Sequence, residues 1–259
     1  MNLYRKLRKK PFIFKRTTGL HPKEFEQIRK KLQILFSKRI LQKKQIAGRP
    51  YGVQLLENQL LCLLFYYRTY TTQLFISFFF QVDTATISRT ISPVEPILAE
   101  IVHIKKEKVL TEKELQTLLI DCTEQSIRRP KKAQQKYFSG KKKRHTIKTE
   151  LIINQKGKII HLSKPHAGSI HDLKISRPKD VFLDHIKIYA DSGYQGLQKQ
   201  YPRIYLPIKR RKCSNLSEKD KIYNQSLAKK RIAIEDKIGQ MKIFQILGQC
   251  FRNTIASYA

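Results

Sequence analysis

The stretch IKIYADSGYQG, residues 186–196, places an aspartate directly after an apolar run that has the alternation and the β-branched residues of a strand. Ser192 and Gly193 follow this aspartate and permit a sharp turn. Carboxylates are scarce, because the chain has 53 Lys and Arg against 20 Asp and Glu. Asp191 is therefore either a turn residue or a negative charge that the chemistry of the protein needs.

A second aspartate has the same setting. Asp121 ends the apolar run TLLI, residues 117–120, so both aspartates lie at the C-terminal edge of a predicted strand. Ligands bind at that edge in open α/β sheets. Two neighbouring strands would present both carboxylates to one ligand, although an aspartate that starts a turn is the commoner explanation of either one alone.

The second half of the chain has the pattern of a sheet with helices. Its short β-rich runs are LQTLLIDCT, HTIKTELIIN, KIIHLSK, HIKIYAD and RIYLPIK, and NQKGK between the second and third predicts a hairpin turn. SIHDLKISRP predicts a helix, and a long helical pattern runs from about Ser217 to Phe244. This half is therefore predicted to be α/β.

The long helix offers a third carboxylate, either Glu235 or Asp236. An apolar stripe at helical spacing is formed by Leu227, Ile234, Ile238 and Met241. Arg231, Glu235 and Lys242 project along one flank of this stripe, whereas Asp236 lies toward solvent. Helix phase thus favours Glu235 as the residue that reaches the strand ends; the alternative is an i, i+4 ion pair with Arg231 on a solvated face.

The first half is helical and strongly basic. An amphipathic helix is predicted after the start signal His21-Pro22, and two apolar helices that share a small core are predicted between Tyr51 and Val82. Asp83 can cap a further helix, whose first turns contain Thr84, Thr86 and Arg89. This order matches a helix-turn-helix, whose second helix enters the major groove of DNA; a plain helical hairpin is the alternative.

The charge of the chain points to a polyanionic partner. The net charge is +33 and the pI is near 10.1, which favours nucleic acid over a ribosome-like or membrane-surface role. Residues 128–148 hold ten Lys or Arg and no acidic residue, with Lys142, Lys143 and Arg144 in the densest part. This run is predicted to contact the DNA backbone; an exposed hairpin kept soluble by its charge is the alternative.

Composition also predicts two domains in the cytoplasm. Residues 104–116, IKKEKVLTEKELQ, are charged and poor in apolar residues, and they separate a helical domain, residues 1–105, from a second domain, residues 112–259. Four scattered cysteines without a CxxC pair indicate reduced thiols. Neither a signal peptide nor a bilayer span is recognisable, so no membrane partner is expected.

Three convergent carboxylates in a basic protein suit chemistry at phosphorus. Oxygen ligands suit Mg²⁺, which also binds substrate phosphate, and two such ions roughly 3.5–4 Å apart can activate an attacking hydroxyl and stabilise a leaving oxygen. Asp121, Asp191 and Glu235 are the candidate ligands. Glu124 is a rival, but on a strand that continues past Asp121 it would point to the opposite face. A zinc site at His166, His171 and Asp172 is disfavoured, because no cysteine lies nearby and the spacing does not suit zinc.

These residues resemble the DDE transposases of bacterial insertion sequences. The helix pattern of arginine, three residues, glutamate, six residues and lysine is met by Arg231, Glu235 and Lys242, and LLIDCTE and IYADSGYQG are similar to the blocks around the first and second aspartates of that family. YFSGKKKRHTIKTELII and HAGSIHDLKI also look like this family, and the segment QLLCLLFYYRTYTTQLFISFFFQVDTATISRTI resembles its helix-turn-helix. The resemblance covers nearly the whole chain from about residue 20.

The resemblance implies an RNase H-like catalytic core with a mixed sheet, preceded by an all-α helix-turn-helix domain. It implies two divalent ions, Mg²⁺ or Mn²⁺, held by the two aspartates and Glu235, and cleavage followed by strand transfer at the inverted-repeat ends of a DNA element. Double-stranded DNA, both element ends and target, is the implied partner, acted on by a homo-oligomer in the cytoplasm at the nucleoid. His171 and Asp172 would lie behind the metal ligands or contact the scissile strand.

The sequence departs from the family pattern in two places. Ala228 stands where relatives often have Tyr, three residues before the arginine, and the chain stops soon after the glutamate helix. Two alternative functions therefore stay open: an inactive or repurposed DNA-binding regulator, and an RNase H-like nuclease that does not join DNA.

Overall fold

The computed structural model describes residues 2–41, 52–102, 116–176, 186–210, 215–254 and 258. They form two compact units, Met1–Ile104 with Lys242–Gln249, and Lys105–Met241 with Cys250–Ala259. Of the predicted boundary segment 104–116, all but Gln116 lies outside the described residues, and the domain limits stay a prediction. In the part of the chain that is described, no helix is long and apolar enough to cross a bilayer.

The first unit is built of helices. Helices α1 to α6 span Leu3–Arg8, Pro11–Thr18, Pro22–Phe36, Leu56–Thr69, Gln73–Phe80 and Thr84–Ile101. The predicted start of α3 is confirmed by a capping box, in which His21 Nδ1 accepts from the Lys23 amide and the Glu24 carboxylate accepts from the His21 amide. Tyr4, Phe14 and Phe25 pack ring against ring in the core of this unit.

The predicted order of a buried helix, a short turn and a second helix is confirmed in α4 to α6. Gln81 turns the chain between α5 and α6 in the left-handed conformation, with φ of 54°. Asp83 takes the N-cap position of α6 as predicted, although within the described chain its side chain makes no capping hydrogen bond. The shared core is smaller than expected, because α5 buries Ile76 and leaves Phe78 79% exposed.

The second unit contains a mixed sheet of seven strands in the described part of the chain. Strands β1 to β7 span Thr117–Ser126, Phe138–Ser139, Arg144–Asn154, Ile159–Leu162, His166–Ala167, Lys187–Tyr189 and Ile204–Tyr205. β3 pairs antiparallel with β1, while β1, β6 and β7 are parallel to one another. The other edge of β3 pairs with β2, β5 and β4 in turn along its length.

Further helices, one of them long, complete the two units. α7 is Gln134–Tyr137, α8 is Asp172–Ile175, α9 is Glu218–Lys242 and α10 is Gln245–Gly248, which belongs to the first unit. The long C-terminal helix is confirmed in α9. The helix predicted over SIHDLKISRP is limited to the one turn of α8, and its last two residues lie outside the described ranges.

The predicted hairpin at NQKGK is confirmed between β3 and β4. Asn154 Oδ1 accepts hydrogen bonds from the amides of Lys156 and Lys158, both at 3.0 Å. Gly157 closes the turn with φ of +73°, a conformation that favours glycine.

The sheet of the second unit separates two apolar clusters. One face carries Leu119, Leu151, Ile153 and Tyr189, and Leu227 and Ile234 of α9 pack on it. The opposite face carries residues of the other parity, among them Leu118, Ile120 and Ile152, with Tyr194 and Leu197 packed against them. The stripe that defined the phase of α9 is therefore confirmed as its buried face.

Candidate active site

Asp121 and Asp191 are brought level by the parallel pairing of β1 and β6. The ladder joins Thr117 to Lys187 and continues to Leu119 and Tyr189 with a constant offset of 70 residues. Asp121 and Asp191 have the same separation, and each lies two residues beyond the last pair of the ladder. The expectation that two neighbouring strands carry these carboxylates is met by β1 and β6.

The prediction that Asp121 ends its strand is wrong. β1 continues to Ser126, because β3 pairs with it antiparallel as far as the pair Ser126 and Thr146. β6 is shorter and ends at Tyr189. Asp121 therefore lies in the middle of β1, at the level where its parallel neighbour has already ended, and it shares a sheet face with Leu119 and α9.

Asp191 is also a turn residue. Its Oδ1 accepts a hydrogen bond of 2.8 Å from the Gly193 amide and caps the 3₁₀ turn Ser192–Tyr194. Its backbone is extended, with φ of −83° and ψ of 178°. Asp191 therefore caps a turn and also lies level with Asp121. Its role in the turn does not exclude a chemical role.

The helix α9 places Arg231 against Asp121. Arg231 Nη2 lies 3.6 Å from Asp121 Oδ2 and 4.0 Å from Glu235 Oε1, and the Arg231 side chain is only 13% exposed. The Glu235 side chain is 59% exposed, and its i, i+4 ion pair with Arg231, the alternative to a place at the strand ends, is present at the rim of the buried face. Asp236 is exposed, as helix phase predicts, and Lys242 is the last residue of α9.

Negative charge accumulates around Asp121. Burial raises the pKa of Asp121 to about 6, the Arg231 guanidinium opposes this rise, and the carboxylates of Asp191 and Glu235 add to it. Asp191 and Glu235 therefore each lie close enough to Asp121 to act on its charge. Arg231 supplies part of the positive charge that such a cluster needs.

The donor set at this cluster fits a divalent cation in its chemistry. Carboxylate oxygens are hard ligands, and the pKa of Asp121 is raised by burial first and by the charges of Asp191 and Glu235 to a smaller extent, so a cation here would favour its ionised form. Among the residues that the structure describes, no group of three His, Cys, Asp or Glu side chains is drawn together closely enough to form a closed metal site.

Asp172 packs beside the Asp191 turn. A Cβ atom at Gly193 would lie 2.7 Å from Asp172 Oδ2 and 2.9 Å from Asp191 Oδ1, so the two carboxylates approach the same glycine. Asp172 Oδ1 accepts a 3.0 Å hydrogen bond from Lys148 Nζ. His171 instead accepts from the Leu173 amide at the start of α8.

The predicted DNA-contacting residues are mostly exposed within their own units. Lys142, Lys143 and Arg144 lie on the exposed hairpin that joins β2 to β3. On α6, Thr84 and Arg89 are exposed. Thr86 is half-buried, because its methyl group packs against Gly52.

A buried polar cluster beneath the two aspartates was not predicted from the sequence. The Tyr194 hydroxyl donates to Glu150 Oε1 at 3.1 Å and lies 3.2 Å from Cys122 Sγ. Glu150 is 1% exposed. One signal could have revealed it, since Glu150 interrupts the apolar strand run HTIKTELIIN. Glu124, the rival ligand, accepts from Thr146 Oγ1 at 2.5 Å on this same sheet face, away from Asp121.

The fold agrees with the comparisons to known proteins. Residues 120–259 match the family model of the DDE superfamily endonucleases, and residues 55–102 match the helix-turn-helix of the same superfamily. The chain therefore belongs to the DDE superfamily of insertion-sequence transposases, with an RNase H-like core and a helix-turn-helix. A curated relative, a probable transposase for insertion sequence element IS702 from Microchaete diplosiphon, is 35% identical over 216 residues, covering 82% of this chain and 78% of the relative. No solved structure gives a significant match.

Proposed function

We propose that this protein is a DNA transposase that cleaves the inverted-repeat ends of an insertion sequence and transfers them to target DNA. The observation that carries the proposal is the level placement of Asp121 and Asp191 on parallel strands, with Arg231 and Glu235 delivered to the same sheet face by α9. Residues 120–259, which contain all of these side chains, match the family model of the DDE superfamily endonucleases.

Asp121, Asp191 and Glu235 would hold two divalent ions, Mg²⁺ or Mn²⁺. Such ions, when bound, activate an attacking water or 3′-hydroxyl and stabilise the leaving oxygen at phosphorus. Arg231 holds the Asp121 carboxylate from the helix side and opposes the rise in its pKa that burial causes, which favours the charged form of the ligand. Glu235, at the rim, is exposed enough to adjust its rotamer toward the strands.

The basic surface would hold DNA for this reaction. Lys142, Lys143 and Arg144 contact phosphates, whereas Thr84, Thr86 and Arg89 of α6 face the bases in the major groove. Lys242 and Arg231 neutralise the backbone near the scissile bond. Asp172 positions Lys148 and the Asp191 turn, with His171 beside it. The protein would act as a homo-oligomer on paired ends, in the cytoplasm at the nucleoid.

The test is the metal-dependent nicking of a DNA duplex that carries one element end. Asp191→Asn and Glu235→Gln are expected to abolish nicking with Mg²⁺ or Mn²⁺ while DNA binding stays at the parental level, because each change removes one charged ligand and little volume. Asp236→Asn is the matched control on α9 and should nick normally. If Asp191→Asn nicked as fast as the parent, the site assignment would be wrong.

Joining distinguishes a transposase from a nuclease. A pre-cleaved end with a 3′-hydroxyl, incubated with plasmid target, should become covalently joined to it by the parent protein and not by Asp121→Asn. Nicking without joining would favour the RNase H-like nuclease, and specific end binding without either reaction would favour a DNA-binding regulator.

A further inference from the structure

The buried cluster of Tyr194, Glu150 and Cys122 joins three chain segments at one point. Tyr194 ends the 3₁₀ turn that Asp191 caps. Cys122 follows Asp121 on β1, and Glu150 is its antiparallel partner on β3. The cluster lies on the sheet face opposite α9, since Cys122 and Tyr194 pack with Leu118 and Ile120.

The direction of the hydrogen bonds in the cluster follows from its donors. Tyr194 has one hydroxyl proton, which it donates to Glu150 Oε1 at 3.1 Å. The Cys122 thiol, 3.2 Å away, therefore donates to the Tyr194 oxygen. The network therefore joins Cys122, the neighbour of Asp121, to Tyr194 at the end of the Asp191 turn, and Tyr194 to Glu150. Glu150 is 1% exposed.

We propose that Tyr194 and Glu150 are positioning residues that fix the separation of the Asp121 and Asp191 carboxylates for metal binding. The inference rests on the proposed function. The β1–β6 ladder ends two residues before these aspartates, so past Tyr189 the ladder itself no longer holds the two segments together. The Tyr194 hydroxyl supplies a cross-link beyond that point, from the end of the Asp191 turn to β1 and β3. Burial strengthens such a network, because an unpaired polar group there is costly.

The test measures Mn²⁺ binding to the full chain without DNA. Binding is detected as a decrease in the electron paramagnetic resonance signal of unbound Mn²⁺. Tyr194→Phe removes one oxygen and keeps the ring, and we expect it to weaken Mn²⁺ binding about tenfold, in the range seen when groups behind metal ligands are removed. Nicking by this variant should recover at high Mn²⁺, with its KM for DNA unchanged. Tyr223→Phe is the matched control, because the Tyr223 hydroxyl donates to Leu206 O in the same unit.

A conservative pair separates positioning from simple loss of stability. Glu150→Gln keeps an oxygen that accepts from Tyr194, whereas Glu150→Leu does not, so Glu150→Gln should restore most of the Mn²⁺ affinity that Glu150→Leu loses. Equal Mn²⁺ affinity in Tyr194→Phe, Tyr223→Phe and the parent would overturn the inference, provided that Asp191→Asn binds Mn²⁺ weakly. If Asp191→Asn also bound Mn²⁺ like the parent, the metal site itself and the proposed function would fail.

Discussion

Gly193 sets the space available to the Asp191 carboxylate. A Cβ atom at this position would lie 2.7 Å from Asp172 Oδ2 and 2.9 Å from Asp191 Oδ1. Both contacts are to the ends of side chains, which can move without unfolding the turn. The glycine is therefore needed for carboxylate placement more than for stability.

Gly193→Ala should accordingly lower activity without lowering stability much. We expect nicking to fall by at least about tenfold, because displacements near 1 Å at a reacting centre are costly, while the melting temperature changes little. Gly140→Ala is the control, since no atom among the described residues lies within 4 Å of its added Cβ. Parental nicking by Gly193→Ala would show that Asp191 does not need this position.

Glu150 gives the protein a pH-dependent stability. Burial raises the pKa of Glu150 from 4.5 to about 7. Between these values the folded state keeps a proton that the unfolded state releases, so the contribution of Glu150 to stability is complete below about pH 4.5 and is lost as the pH rises through about 7. The shift corresponds to roughly 3 kcal/mol.

Glu150→Gln should remove the loss of stability that the parent protein shows as the pH rises through about 7. At pH 8 the variant is expected to be more stable than the parent by up to roughly 3 kcal/mol, and at pH 4.5 the two should unfold alike, as measured by urea denaturation. Glu218→Gln, at a carboxylate that is 80% exposed, should leave the difference near zero at both pH values. A parent-to-variant difference that did not change with pH would contradict the raised pKa.

At the scale of elements, replacing a glycine by alanine should have opposite effects on stability in α9 and in the β3–β4 turn. Gly239 lies within α9 and its added Cβ would meet no atom of the described chain within 4 Å, whereas Gly157 has φ of +73°. Gly239→Ala should raise the stability by about 0.5–1 kcal/mol, and Gly157→Ala should lower it by about 1 kcal/mol or more. Thermal unfolding of the two variants checks both signs; a destabilised Gly239→Ala would mean that α9 is constrained there by something other than propensity.

The elements themselves could be predicted to different degrees. The apolar alternation of β3 and the stripe of α9 were sufficient to place them, because one face of each is buried. The end of β1 could not be predicted, since the residues after Asp121 are polar and their strand state depends on pairing with β3. Glu150 was visible as an acid in an apolar run, but its partner Tyr194 is 44 residues away, and only the fold joins them.

At the scale of the whole molecule, the net charge of +33 predicts DNA binding that falls steeply with salt. The hairpin residues Lys142 and Lys143 lie at one end of β3, and Lys156 and Lys158 lie at the other, roughly 33 Å away for an eleven-residue strand. The two hairpin tips therefore provide a matched comparison of charge at different positions.

Lys142→Gln with Lys143→Gln should reduce the slope of log K against log salt by about 2, because two phosphate contacts are lost. Lys156→Gln with Lys158→Gln should leave the slope near the parental value, although the net charge changes equally. Fluorescence anisotropy over a salt series measures both. Equal slopes for the two double variants would mean that the charge acts as a diffuse field and that the β2–β3 hairpin holds no phosphate.

The parallel ladder between β1 and β6 also determines where an inserted residue would move Asp191 relative to Asp121. An extra residue in the β3–β4 turn lengthens the path from Asp121 to Asp191 without moving either strand. One extra residue between Tyr189 and Asp191 would instead shift the second carboxylate by about 3.3 Å and turn it to the other side of the sheet. Under the proposed function, gene copies with an in-frame insertion in the β3–β4 turn should therefore stay active, whereas a single insertion beside β6 should inactivate the copy.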